Sequence, residues 1–437
     1  MIITTRFAPS PTGRLHVGNI RTALHNYLLS AQGGGRFLLR IDDTDLERSR
    51  EDYVEAIVAD LDWLGLIPAA TVRQSERFDL YEREFERLRA DGRVYACYET
   101  PEELDIQRKI QLGRKLPPIY QRKPGDSSIR EGVAPHWRFK LDHQSPIEWD
   151  DLVRGHQKFD PALISDPVIR RADGSWLYLL PSVIDDIDLA ITNVLRGEDH
   201  VTNSAVQLQM FAALGAAPPK LAHTALLVAA DGKLSKRLGS SGVDELKAAG
   251  IEPMALNSLL ARLGTSQPVE PKASLAELAE GFDLSTFGRA PAHFDLTEVE
   301  QLNMKLLHHL DFADVADRLP AGMSEGDWLL LRGNVDHVAE LADWLPVLDG
   351  NLNAPTIPDE DRDFLGQAAA IAAGLDWSGE PWAELAAALK TTGRKGKGLF
   401  LPLRRALTGR DSGPEMAPLL KRIGKDRAIV RLAAASQ

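Results

Sequence analysis

Several scarcities bound what this chain can be. Its 437 residues include one cysteine, Cys97, so no internal disulfide can form and no thiolate-rich metal site can be built, which suits a reducing compartment. No run of about 18 apolar residues occurs, which excludes a membrane-spanning helix. The opening MIITTRFAPSPTGRLHVGN lacks the charged and apolar stretches of a secretory leader. A cytoplasmic location with no membrane partner is the expectation. Fixed-period repeats and low-complexity tracts are missing as well. Positive charge is in deficit: the formal net charge is −12, a sign that argues against a phosphate-backbone partner if spread evenly.

The charge is not spread evenly. From Asp336 to Leu385 there are eleven acidic residues and one basic, Arg362, whereas from Lys390 to Arg431 there are twelve basic and three acidic. Such a basic segment is a solvated face or an RNA-binding one, and its clustering favours RNA. The length predicts several domains. With 44% hydrophobic and 26% charged residues, each can bury a core.

The chain opens with an apolar strand, Ile2 to Phe7, a Pro/Gly loop, and a helix through TALHNYLLSA. RFLLRIDD reads as a second strand and RSREDYVEAIVADLDWLGL as an amphipathic helix. This βαβ order predicts a parallel sheet with a right-handed crossover. Residues 95–185 differ: proline-rich KLPPIYQRKPG alternates with strand-like WRFKLDH and PIEWDDLVRGHQKF, the pattern of an insertion. Strand and helix character returns at VIDDIDLAITNVLRGEDH and SAVQLQMFAALG. From about Gly242 onward leucine- and alanine-rich helices dominate, and this half reads as all-α.

Two loops carry candidate chemistry. His16-Val17-Gly18-Asn19 lies between the first strand and first helix, where free N–H groups and the helix dipole favour anions. Gly18 lets a nucleotide approach the backbone, and His16 can donate to phosphate oxygens. The second loop is Asp231-Gly232-Lys233-Leu234-Ser235-Lys236-Arg237. Two lysines three apart can clamp a triphosphate and stabilise departing pyrophosphate.

HVGN and KLSKR together resemble the two signature sequences of the class I aminoacyl-tRNA synthetases. TRFAPSPTGRLHVGN, RIDDTD, VLRGEDH and TGRKGKGLFLPLRRALTG resemble segments of glutamyl-tRNA synthetases, so the likeness runs from the N-terminus almost to the end. It implies an α/β Rossmann-like catalytic domain with an inserted α/β acceptor-binding domain, followed by an all-α C-terminal anticodon-binding region. Mapped on this chain, residues 1–95 and 186–240 form the two catalytic halves and 96–185 the acceptor-stem insertion. Residues 241–315 form a helical stem-contact domain and 316–437 the anticodon-binding domain.

The resemblance implies ATP with Mg²⁺, L-glutamate and tRNA(Glu) as partners, with tRNA(Gln) left open as a second acceptor, and a monomer. Neither the attack of the glutamate α-carboxylate on the α-phosphorus nor transfer to a ribose 2′-hydroxyl requires a protein nucleophile, so catalysis rests on positioning and charge. The implied catalytic set is His16, Lys233, Ser235 and Lys236. ATP is assigned Pro9, Thr12, Gly13, His16, Gly18, Asn19, Glu198, Lys233, Leu234, Ser235, Lys236 and Arg237. Glutamate is assigned Arg6, Ala8, Ser10, Asp42, Tyr178, Ser182 and Arg196, with the planar fork of arginine suited to a carboxylate. RNA is assigned Arg394, Lys395, Lys397, Arg404 and Arg405. Phe400, Trp377 and Trp382 read as core aromatics.

Glu198-Asp199-His200 lacks any further ligand spacing and is read as a second layer near the ribose, not as a metal cluster. Some relatives carry zinc in the insertion; with Cys97 unaccompanied, none is expected here. Three positions depart from the family pattern: Asn19 replaces a second histidine, Asp42 a glutamate and Ser182 an asparagine. A glutaminyl-tRNA synthetase would place β-barrels where this chain reads helical. A tRNA-modifying relative would lack the anticodon domain. A silent tRNA-binding scaffold is disfavoured by the retained His16, Lys233, Ser235 and Lys236.

Overall fold

The computed structural model describes residues 2–120, 122, 130–229, 243–350, 352 and 356–437. They divide into two compact units, 1–299 and 300–437.

In the first unit a parallel sheet forms from β1 (Thr4–Phe7), β2 (Arg36–Ile41) and β3 (Ala70–Arg73), with Arg6 opposite Leu38. Their crossovers are α1 (Val17–Ala31) and α2 (Glu51–Trp63), as the alternating pattern predicts. The first strand begins two residues later than its apolar run. The second half continues the arrangement. Helix α3 (Phe78–Ala90) leads into β4 (Val94–Cys97), an antiparallel partner of β5 (His136–Phe139), itself antiparallel to β8 (Val168–Arg170). Between them lie α4 (Pro101–Gly113) and the hairpin β6 (Ile147–Asp151) with β7 (Gly155–Phe159). The chain returns through α5 (Leu179–Asp188), β9 (Asn193–Gly197), α6 (Val201–Ala213) and β10 (Lys220–Thr224), and β9 and β10 pair in parallel. Thr192 N donates to Thr4 O at 2.9 Å, which ties this pair to β1.

Tyr81, Phe85, Phe139, Ile169, Leu180, Val183, Met210 and Phe211 form one buried cluster that welds α3, α5, α6 and the inserted strands. Burial of so many large side chains, worth about 1.5 to 3 kcal/mol each, makes the insertion part of the rigid platform beneath the strand ends. Beyond residue 242 helices dominate, as their leucine and alanine periodicity implies. A short strand, β12 (Ala292–Phe294), interrupts them and pairs in parallel with β11 (Leu227–Ala229). Its three residues alternate buried, exposed, buried, a pattern too brief to read as a strand from sequence.

The second unit is helical. Its core is largely leucine, including Leu365, Leu389, Leu403, Leu407, Leu419 and Leu432, and Trp328 is buried as well. Buried Arg431 donates to the carbonyls of Val347, Leu407, Pro346 and Gly350, satisfying groups left open at helix ends.

Candidate active site

The carboxyl ends of the parallel strands open into a cleft of about 530 Å³. Arg6, Ala8, Pro9, Ser10, His16, Gly18, Asn19, Asp42, Tyr178, Ser182 and Arg196 all line it, so residues from three stretches of sequence converge on one cavity. Thr12, Gly13 and Glu198 do not line it. Lys233, Leu234, Ser235, Lys236 and Arg237 lie outside the described residues.

His16 caps α1. Its Nδ1 accepts from the backbone N–H groups of Gly18, at 3.1 Å, and Asn19, at 3.3 Å, while the Asn19 side-chain oxygen accepts from His16 N at 3.3 Å. This reciprocal cap satisfies donors that a helix start otherwise leaves open. It also fixes the tautomer: Nδ1 is an acceptor, so the ring proton sits on Nε2. Burial lowers the His16 pKa from its ordinary value, which keeps the ring neutral. Asn19 therefore has a structural reason to be an amide, since its oxygen closes the cap and its NH₂ group remains available to donate. A Cβ at position 18 would stand 3.0 Å from the His16 ring, so any other residue would push the imidazole from its place over the turn by tenths of an ångström.

Deeper in the cleft the charges are buried and interlocked. Arg6 Nε donates to Asp186 Oδ1 at 3.1 Å and its Nη2 to Oδ2 at 3.3 Å. Arg40, fully buried, bonds Asp42 at both oxygens, at 2.6 and 3.0 Å, and Asp186 Oδ1 at 2.9 Å. Its Nη2 also donates to Ser182 Oγ at 3.0 Å. Burial alone would raise the Asp186 carboxyl, but the guanidiniums of Arg6 and Arg40 outweigh it and hold it below the usual carboxylate range.

Arg196 differs from these two arginines. It is 7% exposed, its Nη2 bonds only neutral oxygens, Ser204 Oγ at 2.5 Å and Gln207 Oε1 at 2.7 Å, and its Nε has no hydrogen-bond partner. Among the described residues no carboxylate lies within 4.0 Å of it. Burial, with repulsion from Arg6 and Arg40 opposing the pull of Tyr178 and Asp186, pushes its pKa down to about 10, so it stays cationic at neutral pH. A buried cation without a counter-ion is costly, and a cleft that keeps one is shaped for an anion. The Tyr178 hydroxyl stands 3.4 Å from His200 Nδ1.

Three features escape a reading of sequence alone. Arg40 and Asp186 organise the pocket, yet their partnership exists only once β2 and α5 pack together. Arg21 also lines the cleft and donates to Ala225 O. Glu198 is tied to Arg154 of the insertion and accepts from Leu226 N at 3.3 Å.

Away from the cleft, the ligand-capable atoms of Cys97, Glu99 and His136 lie within 4.8 Å of one another. The expectation of no zinc rested on a cysteine without companions, and the structure gives it two of other kinds. Tyr120 Oη bonds Cys97 Sγ at 3.4 Å and donates to Glu99 Oε1 at 2.9 Å. Burial pushes the Cys97 thiol up, and the Tyr120 hydroxyl links Cys97 to Glu99, while His136 Nε2 has no hydrogen-bond partner among the described residues.

In the second unit several cations of the basic stretch are already paired, within the stretch or with its acidic neighbour. Arg394 pairs with Asp361 and Arg405 with Asp411, and Arg404 Nη2 donates to Pro414 O at 3.0 Å. Lys395 and Lys397 remain exposed, with no carboxylate within salt-bridge distance among the described residues. Phe400 is 38% exposed and leans on Trp382 at 5.9 Å between ring centroids, not the core position expected of it. Trp377 Nε1 donates to Ala372 O at 3.0 Å.

Residues 2–301 match the family described as tRNA synthetases class I (E and Q), catalytic domain, and residues 330–436 match an anticodon binding domain. The chain is 64% identical over 436 residues to glutamate–tRNA ligase 2 of Sphingopyxis alaskensis, covering 100% of this chain and 99% of that one. It is 60% identical over 442 residues to glutamate–tRNA ligase 1 of Novosphingobium aromaticivorans, covering 99% and 100%. Among solved structures, a glutamate tRNA ligase from Elizabethkingia meningosepticum in complex with its amino acid superposes with a TM-score of 0.83 at 27% identity, covering 100% of this chain and 99% of that one.

Proposed function

The chain belongs to the glutamate–tRNA ligases, within the class I tRNA synthetases for glutamate and glutamine, and we propose from that premise that it activates L-glutamate with ATP and transfers the glutamyl group to the 2′-hydroxyl of the terminal adenosine of tRNA(Glu). One observation carries the choice of an acidic substrate: Arg196 is a buried guanidinium facing the cleft with no carboxylate within 4.0 Å among the described residues. Arg6 stands in the same cleft with one carboxylate, Asp186, shared with Arg40. A glutamate carboxylate would supply the missing charge in bidentate geometry.

In the first step an oxygen of the glutamate α-carboxylate attacks the α-phosphorus and pyrophosphate leaves; in the second, the ribose hydroxyl attacks the acyl carbon and AMP leaves. His16 supports this reading with a proton on Nε2, set by the cap, that can donate to a phosphate oxygen as charge shifts during displacement. Pro9, Gly18 and Asn19 border the nucleotide side of the cleft. In our proposal Thr12, Gly13 and Glu198 act around it, and Lys233, Leu234, Ser235, Lys236 and Arg237 close over the triphosphate. Ala8, Ser10, Tyr178 and Ser182 line the amino-acid side. Asp42 is the proposed holder of the substrate ammonium through the outer faces of a carboxylate that also serves Arg40.

Mg²⁺ would arrive with the triphosphate. Among the described residues two carboxylates line the cleft, Asp42, which is engaged by Arg40, and Asp199, which is exposed, so Asp199 is the one of the two open to a phosphate-bound ion. We propose no protein-bound zinc, because Cys97 is the one cysteine of the chain and both its sulfur and Glu99 Oε1 are already engaged by the Tyr120 hydroxyl. The proposed division of labour keeps 96–185 for the acceptor stem, 241–315 for further stem contacts and 316–437 for the anticodon, in a cytoplasmic monomer. Lys395 and Lys397 are the proposed phosphate contacts, with Arg394, Arg404 and Arg405 shaping the same segment.

Incubation of purified protein with ATP, Mg²⁺, labelled glutamate and either tRNA(Glu) or tRNA(Gln) tests the proposal. Glutamyl-tRNA(Glu) is expected, and the second tRNA reports whether a further acceptor is used. Binding of tRNA(Glu) without glutamylation would sink the reading in favour of a silent scaffold.

A further inference from the structure

Arg196 sits at the end of a buried chain of hydrogen bonds that reaches out of the catalytic sheet. Ser204 Oγ accepts from Arg196 Nη2 at 2.5 Å and stands 2.6 Å from His223 Nε2, and His223 Nδ1 stands 2.5 Å from Asp151 Oδ2. Ser204 lies on α6, His223 on β10 directly opposite Arg196 in the parallel pair, and Asp151 at the end of β6 in the insertion. All are buried.

The Ser204 hydroxyl also reaches His200 O at 3.2 Å, and the shorter contact to His223, at 2.6 Å, gives the protons of this chain one consistent order. Backbone N–H groups of Val153, Arg154 and His223 donate to Asp151 Oδ1 at 3.1, 2.9 and 3.1 Å. With the His223 ring bond they outweigh burial and hold the carboxyl down at about 2, so Asp151 is ionised. It therefore takes the His223 Nδ1 proton as its hydrogen-bond donor. Burial, with the repulsion of Arg196, lowers the His223 pKa, so its Nε2 is a bare acceptor for the Ser204 hydroxyl proton. Ser204 then offers its oxygen lone pairs to Arg196. Polarisation along such a chain strengthens each bond.

We propose that Asp151, His223 and Ser204 position Arg196 for the amino-acid substrate, so that the inserted hairpin helps to align the glutamate pocket. The logic is electrostatic. A carboxylate placed directly on Arg196 would hold it equally well but would use up the charge the substrate needs, whereas an anion three hydrogen bonds away stiffens the guanidinium and leaves its charge unspent. Anchoring is confined to one edge: Nη2 bonds Ser204 and Gln207, and Nε has no partner. Loss of Ser204 leaves the plane of the fork held by Gln207 alone.

This inference rests on Arg196 being a glutamate ligand, and the experiment separates the two. Aminoacylation of tRNA(Glu) is measured with KM for glutamate and KM for ATP determined separately for wild type, Ser204→Ala, Asp151→Asn and Arg196→Ala, alongside thermal melting. Ser204→Ala is expected to fold and to raise KM for glutamate about tenfold or more, the worth of one hydrogen bond to a charged group, with KM for ATP within twofold. Asp151→Asn, which keeps the shape and removes the distant charge, shifts the same constant in the same direction, and it carries the test if Ser204→Ala does not fold. A folded Ser204→Ala with an unchanged glutamate KM, or with both KM values raised alike, overturns the positioning role. If Arg196→Ala also leaves the glutamate KM unchanged, the assignment of Arg196 itself falls.

Discussion

Arg6 and Asp186 stand 180 positions apart in the chain and meet as a two-point ion pair, Nε to Oδ1 at 3.1 Å and Nη2 to Oδ2 at 3.3 Å. The same carboxylate receives Arg40 Nη1 at 2.9 Å. One aspartate on α5 thus locks β1 and β2 to that helix and fixes which edge of Arg6 remains for substrate.

Asp186→Asn keeps the volume and removes the charge, leaving buried Arg6 without its counter-ion while Arg40 keeps Asp42. Breaking a buried pair in this way costs about 3 to 5 kcal/mol. Urea unfolding should show a loss of that order, and a loss below about 1 kcal/mol would mean that the pairing contributes little.

Gly18→Ala should act on the nucleotide and spare the fold. The added methyl would lie 3.0 Å from the His16 imidazole, so the ring must shift by tenths of an ångström, while alanine favours the helix by about 1 kcal/mol. We expect kcat/KM for ATP to fall about tenfold with an unchanged or raised melting temperature. Full activity in the variant would remove the steric reason for glycine.

His25 gives a pH dependence with a definite sign. It is buried, its Nε2 lies 3.0 Å from Leu260 O, and burial, with Arg21 adding repulsion, pushes its pKa down to about 3. The unfolded chain titrates near the ordinary value, so between about pH 6.5 and 3 the unfolded state binds the extra proton and stability rises with pH. Folding stability should be fully present above about pH 6.5 and decline below it, by up to about 1.4 kcal/mol per pH unit for this group. His25→Gln should lose stability less steeply over pH 6 to 4 in urea titrations; identical slopes would contradict the assignment.

The parallel sheet, the insertion and the helical half were legible because each is written in local periodicity. His16, Gly18 and Asn19 were legible for the same reason, since a helix start is a short-range object. Arg40, Asp186 and the chain from Asp151 to Ser204 were not: a buried arginine or histidine is indistinguishable from a surface one until partners dozens of residues away supply the counter-charge. The tail shows the converse. Its basic block reads as an RNA face, yet Lys421 pairs with Glu380, Arg422 with Asp327 and Asp349, and Arg427 with Asp349, because the acidic stretch packs against it in the same helical unit.

That pairing separates the cations of the tail by experiment. Exposed Lys395 and Lys397 should each contribute to tRNA binding through phosphate charge, so the double alanine variant should lower the slope of log K against log salt by roughly one to two. Arg405→Ala, whose guanidinium already bonds Asp411 at 2.5 and 2.8 Å, should leave the slope nearly unchanged. Equal effects from both variants would contradict the division.

The account turns on a cleft whose buried cation awaits a carboxylate, and the most direct measurement is aminoacylation of purified tRNA(Glu) with glutamate or glutamine at saturating ATP and Mg²⁺. Because the neutral amide cannot pair with Arg196, kcat/KM for glutamine should fall at least 10³-fold below that for glutamate, on the order of the loss when a buried polar group is left unmatched. Comparable charging with both amino acids would contradict it.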